Sequence, residues 1–382
     1  LAIDRCFNVA DFRRLARRRL PAPMFHYIDG GADDELTLRR NTSAFDNYNL
    51  MPSGLVDTSV LDVTTEVLGQ KLSMPLFLAP TGLTRLFHHD GERAVARAAA
   101  EAGTMYSLST LSSVSIEEVG TITSGPKMFQ IYIHKDRGLT YEFINRCKAA
   151  GYHSLCLTVD TIVAGNRERD LMTGMTTPPR MTLASLLSFA LHPLWTLNYL
   201  THEKFQLANV ADRITAGSTA ASSVIDYINE QFDRALTWQD AEKAIAAWGG
   251  PFAIKGVMSV ADARRAVEVG ASAIMISNHG GRQLDSAPAP IDCVESIVDA
   301  VGDKIEVIVD GGVRRGSHVL KALALGAKAC SMGRPYLYAL AAGGEAGVMR
   351  LLGRLRAEID RDMALMGCTN ITQVARNKVE RI

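Results

Sequence analysis

Between residues 75 and 334 the sequence alternates eight short apolar runs with amphipathic segments, and few folds satisfy that alternation. The runs are PLFLAPTG (75–82), TMYSLST (104–110), KMFQIYI (127–133) and HSLCLTVD (153–160), then FAIKG (252–256), SAIMISNHG (272–280), EVIVDGG (306–312) and KACSMGR (328–334). Between them lie segments such as GERAVARAAAEAG, DRGLTYEFINRCKAAG, SVADARRAVEVG and RGSHVLKALALG, whose apolar residues recur at helical spacing and which close in the glycine a helix C-terminus favours. The echo of VGASAIMIS in LGAKACSMG marks a repeated strand-helix unit. Eight such units predict an α/β fold, a (β/α)8 TIM barrel, spanning about residues 75–345 of a single domain of residues 1–382. Asn8 is placed to cap an N-terminal helix that ends before Pro21, and the arginines along it (Arg13, Arg14, Arg17, Arg18 and Arg19) read as a solvated face.

The stretch of about residues 164–236 between the fourth and fifth runs is too long for a barrel loop and is read as an insertion with its own role. Its first part, MTLASLLSFALHPLWTLNYL, is apolar but interrupted at His192-Pro193, so it does not form one spanning helix. Trp195 and Tyr199 there suit a membrane interface, and a lid or subunit contact is the alternative. The chain carries 41 basic and 41 acidic residues, which gives no general attraction to nucleic acid. Its six cysteines are scattered without a CxxC pair, which reads as reduced thiols with no metal site. The N-terminal stretch has no signal-like apolar region.

Polar residues gather at the C-terminal ends of the apolar runs, the face where barrels place their chemistry: Gln130 and Tyr132, Thr158 and Asp160, Lys255, Ser277 and His279, Asp310, and Gly333 with Arg334. DGGVRRG (310–316) and GRP (333–335) end the seventh and eighth runs, where glycines admit backbone N–H groups to an anion and Arg314 and Arg334 add forked donors. A phosphate-bearing ligand is expected there. No GxGxxG follows a first strand and no Walker loop is present, so a Rossmann or P-loop site is excluded. His279 is the side chain suited to take a proton near neutral pH, with Asp160 to fix its tautomer and favour its charged form. Arg282 and Arg167 are candidate carboxylate clamps, Tyr27 and Tyr132 candidate donors to the same acid, and Lys255 a positive charge for a cofactor that becomes anionic.

The motifs SNHGGRQLD, DGGVRRG, LTVD, FQIY and APTG resemble those of the FMN-dependent 2-hydroxy acid dehydrogenase and oxidase family, and the likeness runs from LPAPMFHYIDGGADDE to ALMGC. The resemblance implies His279 as the base and Asp160 as its orienting partner, with Arg167, Arg282, Tyr27 and Tyr132 on the substrate carboxylate. It implies FMN resting on Ala79, Pro80, Thr81 and Gly82, with Ser109, Gln130 and Thr158 at its polar edge. Lys255 and Ser277 would stand by its anionic form and Gly312, Arg314, Gly333 and Arg334 by its phosphate, with Asp310 and Gly311 also among the cofactor-binding residues. The implied reaction turns a small L-2-hydroxy acid into the 2-keto acid, by loss of a proton from carbon or from the hydroxyl.

The resemblance also bears on the acceptor. Gly82 stands where family oxidases usually carry Ala and quinone- or cytochrome-linked members carry Gly. HPLWTLNYL followed by QLANV is similar to a monotopic membrane anchor of lactate and mandelate dehydrogenases. Both tilt the expectation to a dehydrogenase passing electrons to a quinone or other acceptor, held peripherally on the cytoplasmic side of the inner membrane through residues 181–205, with a soluble, oxygen-using oxidase in the cytoplasm as the alternative. No haem domain precedes the barrel, so a separate acceptor is expected. Leu111, where glycolate oxidase has a large aromatic, and the small Ala164 leave room for lactate, longer aliphatic or aryl acids. A homotetramer is common in the family. The competing classes are a flavin isomerase and a non-catalytic phosphate-binding barrel.

Overall fold

The computed structural model describes residues 2–175, 182–210 and 233–382. Each of the eight apolar runs is a strand: β1 (Leu76–Thr81), β2 (Tyr106–Ser109), β3 (Lys127–Ile131), β4 (Ser154–Thr158), β5 (Phe252–Val257), β6 (Ala273–Ile276), β7 (Glu306–Asp310) and β8 (Ala329–Met332). All pair in parallel with their sequence neighbours, and β8 returns to β1 through Cys330–Leu76, Ser331–Phe77 and Met332–Leu78, which closes the barrel. The expected (β/α)8 architecture is therefore the one the chain adopts.

Side chains alternate across each strand, so two-residue spacing separates what faces the helices from what fills the barrel. Leu76 and Leu78 pack outward, whereas Phe77, Met128, Cys156, Ala253, Met275, Ile308 and Ala329 form the inner core. An antiparallel hairpin, Thr65–Val67 with Gln70–Leu72, adds Val67, Leu68 and Leu72 to that core. Leu68 N–H donates to the carboxylate of Glu306 at the first residue of β7 (2.9 Å), so the hairpin plugs the N-terminal end of the barrel. The next inward position up every strand carries Ala79, Ser109, Gln130, Thr158, Lys255, Ser277, Asp310 or Ser331. One end is sealed with apolar side chains, and the other is lined mostly with polar ones.

Helix ends follow the sequence cues. Asn8 and Asp11 form a reciprocal capping box at α1 (Val9–Arg19). Gly103, Gly151, Gly270 and Gly326, predicted to stop helices, all take positive φ just past them. After α1 come α2 (Ala22–Asp29), whose short run begins after Pro21 and ends at Gly30, and α3 (Leu36–Ser43).

Within the insertion lie α4 (Glu168–Met172), α5 (Leu183–Ala190) and α6 (Pro193–Thr201), with the break at His192-Pro193 as expected. Residues 176–181 and 211–232, and with them Met181 of the proposed anchor, lie outside the described residues. The polar side of the α5–α6 hairpin is fastened to the rest of the chain: Ser188 Oγ accepts from Ala22 N–H (2.9 Å), Ser185 Oγ donates to the Thr173 carbonyl (2.7 Å), and Trp195 Nε1 donates to the Leu86 carbonyl (2.9 Å). Trp195 thus has its indole N–H bonded to Leu86 and stacks on the exposed Tyr199. The side turned to solvent is leucine: Leu183, Leu186, Leu187, Leu191, Leu194, Leu197 and Leu200 are all exposed, Leu183 by 85% and Leu194 by 83%. No described helix is long and apolar enough to cross a membrane.

Candidate active site

The polar end of the barrel opens into a cavity of about 250 Å³. Its wall includes every residue singled out from the sequence except Asp160 and Ser277, which stand directly behind residues that do line it. Leu111 and Ala164 line it too, as do Ile28, Gln283, Ser331 and Leu337, which sequence reasoning did not single out.

His279 Nδ1 lies 2.8 Å from Asp160 Oδ1. An ionised carboxylate only accepts, so Nδ1 carries the proton and Nε2 keeps its lone pair. Burial lowers the His279 pKa, and although Asp160 pulls it up, nearby Lys255 and Arg282 push it down again, so the net shift is downward. Asp160 orients the ring and favours its charged form as expected, while burial, Lys255 and Arg282 outweigh that pull and favour the neutral imidazole a base needs. Burial alone would raise the Asp160 pKa, yet His279 and Lys255 draw it below the usual carboxylate range.

His279 takes φ +56°, and Gly280 and Gly281 follow at +65° and +72°. The glycines allow the turn, and they also make room. A Cβ on Gly280 would stand 2.4 Å from Arg334 Nη1, and one on Gly281 2.5 Å from the backbone nitrogen of Leu38 in α3.

Lys255 Nζ donates to Ser277 Oγ (3.1 Å) and lies 3.3 Å from Asp310 Oδ2. Burial disfavours its charge, but Asp310 and Asp160 outweigh burial and hold it protonated. Asp310 also accepts from Ser277 and Ser331 (2.8 and 2.6 Å), so its oxygens are engaged in fixing the lysine. Gln130 accepts from Ser109 Oγ (3.0 Å) and donates to the Ile131 carbonyl (2.9 Å), which sets its amide orientation. Burial raises the Tyr132 pKa to about 12, so its phenol stays protonated and able to donate. At β1, Tyr336 OH donates to the Ala79 carbonyl (2.9 Å) and lies 2.5 Å from Thr81 Oγ1. A Cβ on Gly82 would lie 2.9 Å from Leu111 Cβ.

Two of the arginines hold their places without a carboxylate. The C-terminus of α2 leaves carbonyls without helical partners, and arginine donors fill them. Arg282 Nη1 donates to the carbonyls of Tyr27 (2.6 Å) and Gly30 (3.3 Å). Arg334 donates to Ile28 (2.9 Å), Gly30 (2.7 Å) and Gly280 (2.8 Å). Among the described residues the Arg314 guanidinium bonds only the adjacent Val313 carbonyl (2.8 Å). None of the three forms an ion pair with a described carboxylate, and burial lowers the pKa of each, Arg282 to about 10 with the help of Arg167. Arg167 and Arg282 both lie over the Tyr27 ring, at 5.3 and 4.9 Å from its centre, and Arg167 pairs with Asp170 (2.9 Å). The segment YIDGGA (27–32) escaped sequence reasoning except for Tyr27, because its contribution is made by backbone carbonyls. Its signal was the short helix bounded by Pro21 and the Gly30-Gly31 pair.

The cavity therefore carries four guanidiniums and a lysine against one carboxylate, which Lys255 compensates. Such a wall suits two anions. A phosphate group fits the Arg314, Arg334 and Gly311-Gly312 end, where Gly312 at φ +77° runs so close to Asn41 that no Cβ is tolerated. The inward row Ala79, Ser109, Gln130, Thr158 and Lys255 fits a flat ring with a polar, electron-accepting edge. Among the described residues no cluster suits a metal ion.

A parallel barrel with such a rim defines an oxidoreductase built round a phosphate-bearing ring cofactor. The chain belongs to the FMN-dependent dehydrogenase family, which it matches over residues 16–381, and FMN is its cofactor. It is 44% identical to an L-lactate oxidase of Nostoc sp. over 98% of each chain, and 39% identical to glycolate oxidase 3 of Oryza sativa subsp. indica over 97% of this chain and 95% of that one. Its structure superposes on the crystal structure of the monotopic membrane protein (S)-mandelate dehydrogenase with a TM-score of 0.94 at 37% identity, covering 99% of this chain and all of the other.

Proposed function

We propose that the protein oxidises an L-2-hydroxy acid of lactate or mandelate type to the 2-keto acid. The observation that carries this reading is His279, held by Asp160 at 2.8 Å, on the wall of a cavity that also presents Arg167 and Arg282 over Tyr27. The two arginines take the substrate carboxylate, with Tyr27 and Tyr132 as further donors, and set C2 and its hydroxyl toward His279. His279 Nε2 accepts the proton, and Asp160 stabilises the imidazolium that forms. FMN, when bound, takes the two electrons. Ala79 to Gly82, Ser109, Gln130 and Thr158 would hold its ring, Lys255 with Ser277 and Asp310 would supply the positive charge beside its electron-accepting edge, and Gly311, Gly312, Arg314, Gly333 and Arg334 would hold its phosphate. Anaerobic bleaching of the bound flavin by a panel of 2-hydroxy acids tests this. No bleaching by any of them overturns it.

For the acceptor, the leucine face of the α5–α6 hairpin supports peripheral contact with the cytoplasmic side of the inner membrane and a quinone or other membrane acceptor. The superposition on a monotopic membrane enzyme supports the same reading. The likeness to an L-lactate oxidase favours the second reading, an oxidase that hands its electrons to oxygen and makes hydrogen peroxide. Reoxidation of the reduced holoenzyme by oxygen against a quinone analogue separates the two. Fast reoxidation by oxygen selects the oxidase. A homotetramer, the assembly suggested by the family resemblance, is tested by light scattering.

A further inference from the structure

We propose that Arg169 is a positioning residue for substrate binding, tying the turn that carries Arg167 to the turn that carries Tyr27 and Gly30. This rests on reading Arg167 and Arg282 as the carboxylate clamp. Arg282 is fixed to the α2 terminus by its own bonds to Tyr27 and Gly30. Among the described residues Arg167 makes no such hydrogen bond: it meets α2 across the Tyr27 ring (5.3 Å), and its ion pair is with Asp170 in the short helix it caps, which moves with it. Arg169 joins that helix to α2 by ion pairs. Its Nη1 donates to Asp29 Oδ2 (2.9 Å), its Nη2 bonds the Glu35 carboxylate, and its stem lies on Gly30, where a Cβ would meet Arg169 Cδ at 3.6 Å.

Asp29 is a firm anchor. It is 5% exposed, takes two bonds from Arg13 (2.6 and 2.8 Å) and accepts from Tyr338 OH (2.8 Å). Removing Arg169 therefore leaves Asp29 still held by Arg13 and Tyr338. Further ties hold the start of the turn: the Asn166 side chain donates to Asp33 Oδ1 (2.9 Å), its carbonyl accepts from Asp33 N–H (2.9 Å), and Gly165 N–H donates to Gln283 Oε1 (3.1 Å). Gly165 and Asn166 are thus held on the N-terminal side of Arg167 and Arg169 holds the C-terminal side, so removing Arg169 loosens one flank of this clamp guanidinium and leaves the His279–Asp160 pair untouched.

The test uses the FMN-loaded enzyme. Arg169→Met is expected to raise KM for the hydroxy acid about tenfold, with kcat within about twofold, since misplacing a substrate-positioning group weakens binding. The dissociation constant of oxalate, a carboxylate that does not react, followed by the flavin absorbance, rises by the same factor, and Arg169→Lys recovers part of it. Arg13→Met, which takes the other arginine from Asp29 without touching the Arg167 turn, lowers Tm and leaves KM alone. KM and oxalate binding within twofold of wild type in Arg169→Met, or an equal rise in Arg13→Met, overturns the proposal. Arg167→Met separates it from the clamp itself. If Arg167→Met leaves KM unchanged, the clamp reading falls; if it raises KM and Arg169→Met does not, only the role of Arg169 falls.

Discussion

His279 and Lys255 end neighbouring strands of a closed barrel, with Asp160 just past β4, whereas Tyr27 and Arg167 reach the same cavity from segments outside it, a short N-terminal helix and the first turn of the insertion. The strand-borne half is positioned by ladder hydrogen bonds and by two-residue alternation over a packed core, so its geometry is as cooperative as the fold. The other half is positioned by arginines capping α2 and by ion pairs such as Arg169–Asp29, each modest and each removable by one substitution. The two halves should then fail differently: the first in turnover or cofactor retention, the second in substrate affinity.

The largest effect is expected at the base. His279→Gln should keep FMN and lose about 100- to 10,000-fold in flavin reduction rate, the usual worth of a positioned base; a near-native rate would break the assignment. Gly280→Ala strikes the strand-borne half through its neighbour, because a methyl at φ +65° would displace the Arg334 guanidinium. Reduced FMN retention on gel filtration, with the barrel's circular dichroism intact, is the expected result. In the other half, Arg282→Lys should raise KM by roughly 10- to 100-fold with a smaller loss in kcat, since an ammonium lacks the fork that bonds α2 and a carboxylate together.

The pH profile sharpens the comparison further. His279 must be neutral to act, so kcat/KM is present above its pKa and lost as pH falls through it. Burial holds that pKa below 6.5, and the acid limb should lie there. Asp160 is the group that raises it, so Asp160→Asn should move the limb to still lower pH while reducing the plateau rate. A limb that moves upward would refute the electrostatic account of the pair.

How much could be read beforehand follows the same division. The eight strands and His279, Asp160, Lys255, Arg314 and Arg334 were legible because strand ends carry their own polar signature at fixed spacing. The capping of α2 by Arg282 and Arg334 was not, since carbonyl acceptors have no side-chain identity and the partners lie some 250 residues and more apart. Trp195 follows a related rule: composition shows an amphipathic ring in an apolar segment, but only the fold shows its indole N–H bonded to Leu86.

The hairpin itself gives the smallest catalytic effect and the cleanest separation. Its leucines point away from the barrel, while Ser185, Ser188 and Trp195 fasten the opposite side. Changing Leu183 and Leu194 to Glu should therefore leave fold, FMN content and reduction by hydroxy acid within about twofold of wild type, as expected for exposed positions. It should abolish sedimentation with anionic phospholipid vesicles, because an apolar face that enters a bilayer interface cannot carry two carboxylates there cheaply. Unchanged vesicle binding would remove the membrane reading and leave the leucine face to another partner. Loss of reduction activity as well would mean that the hairpin and the Arg167 turn, joined in the chain through residues 176–181, are coupled more tightly than their contacts indicate.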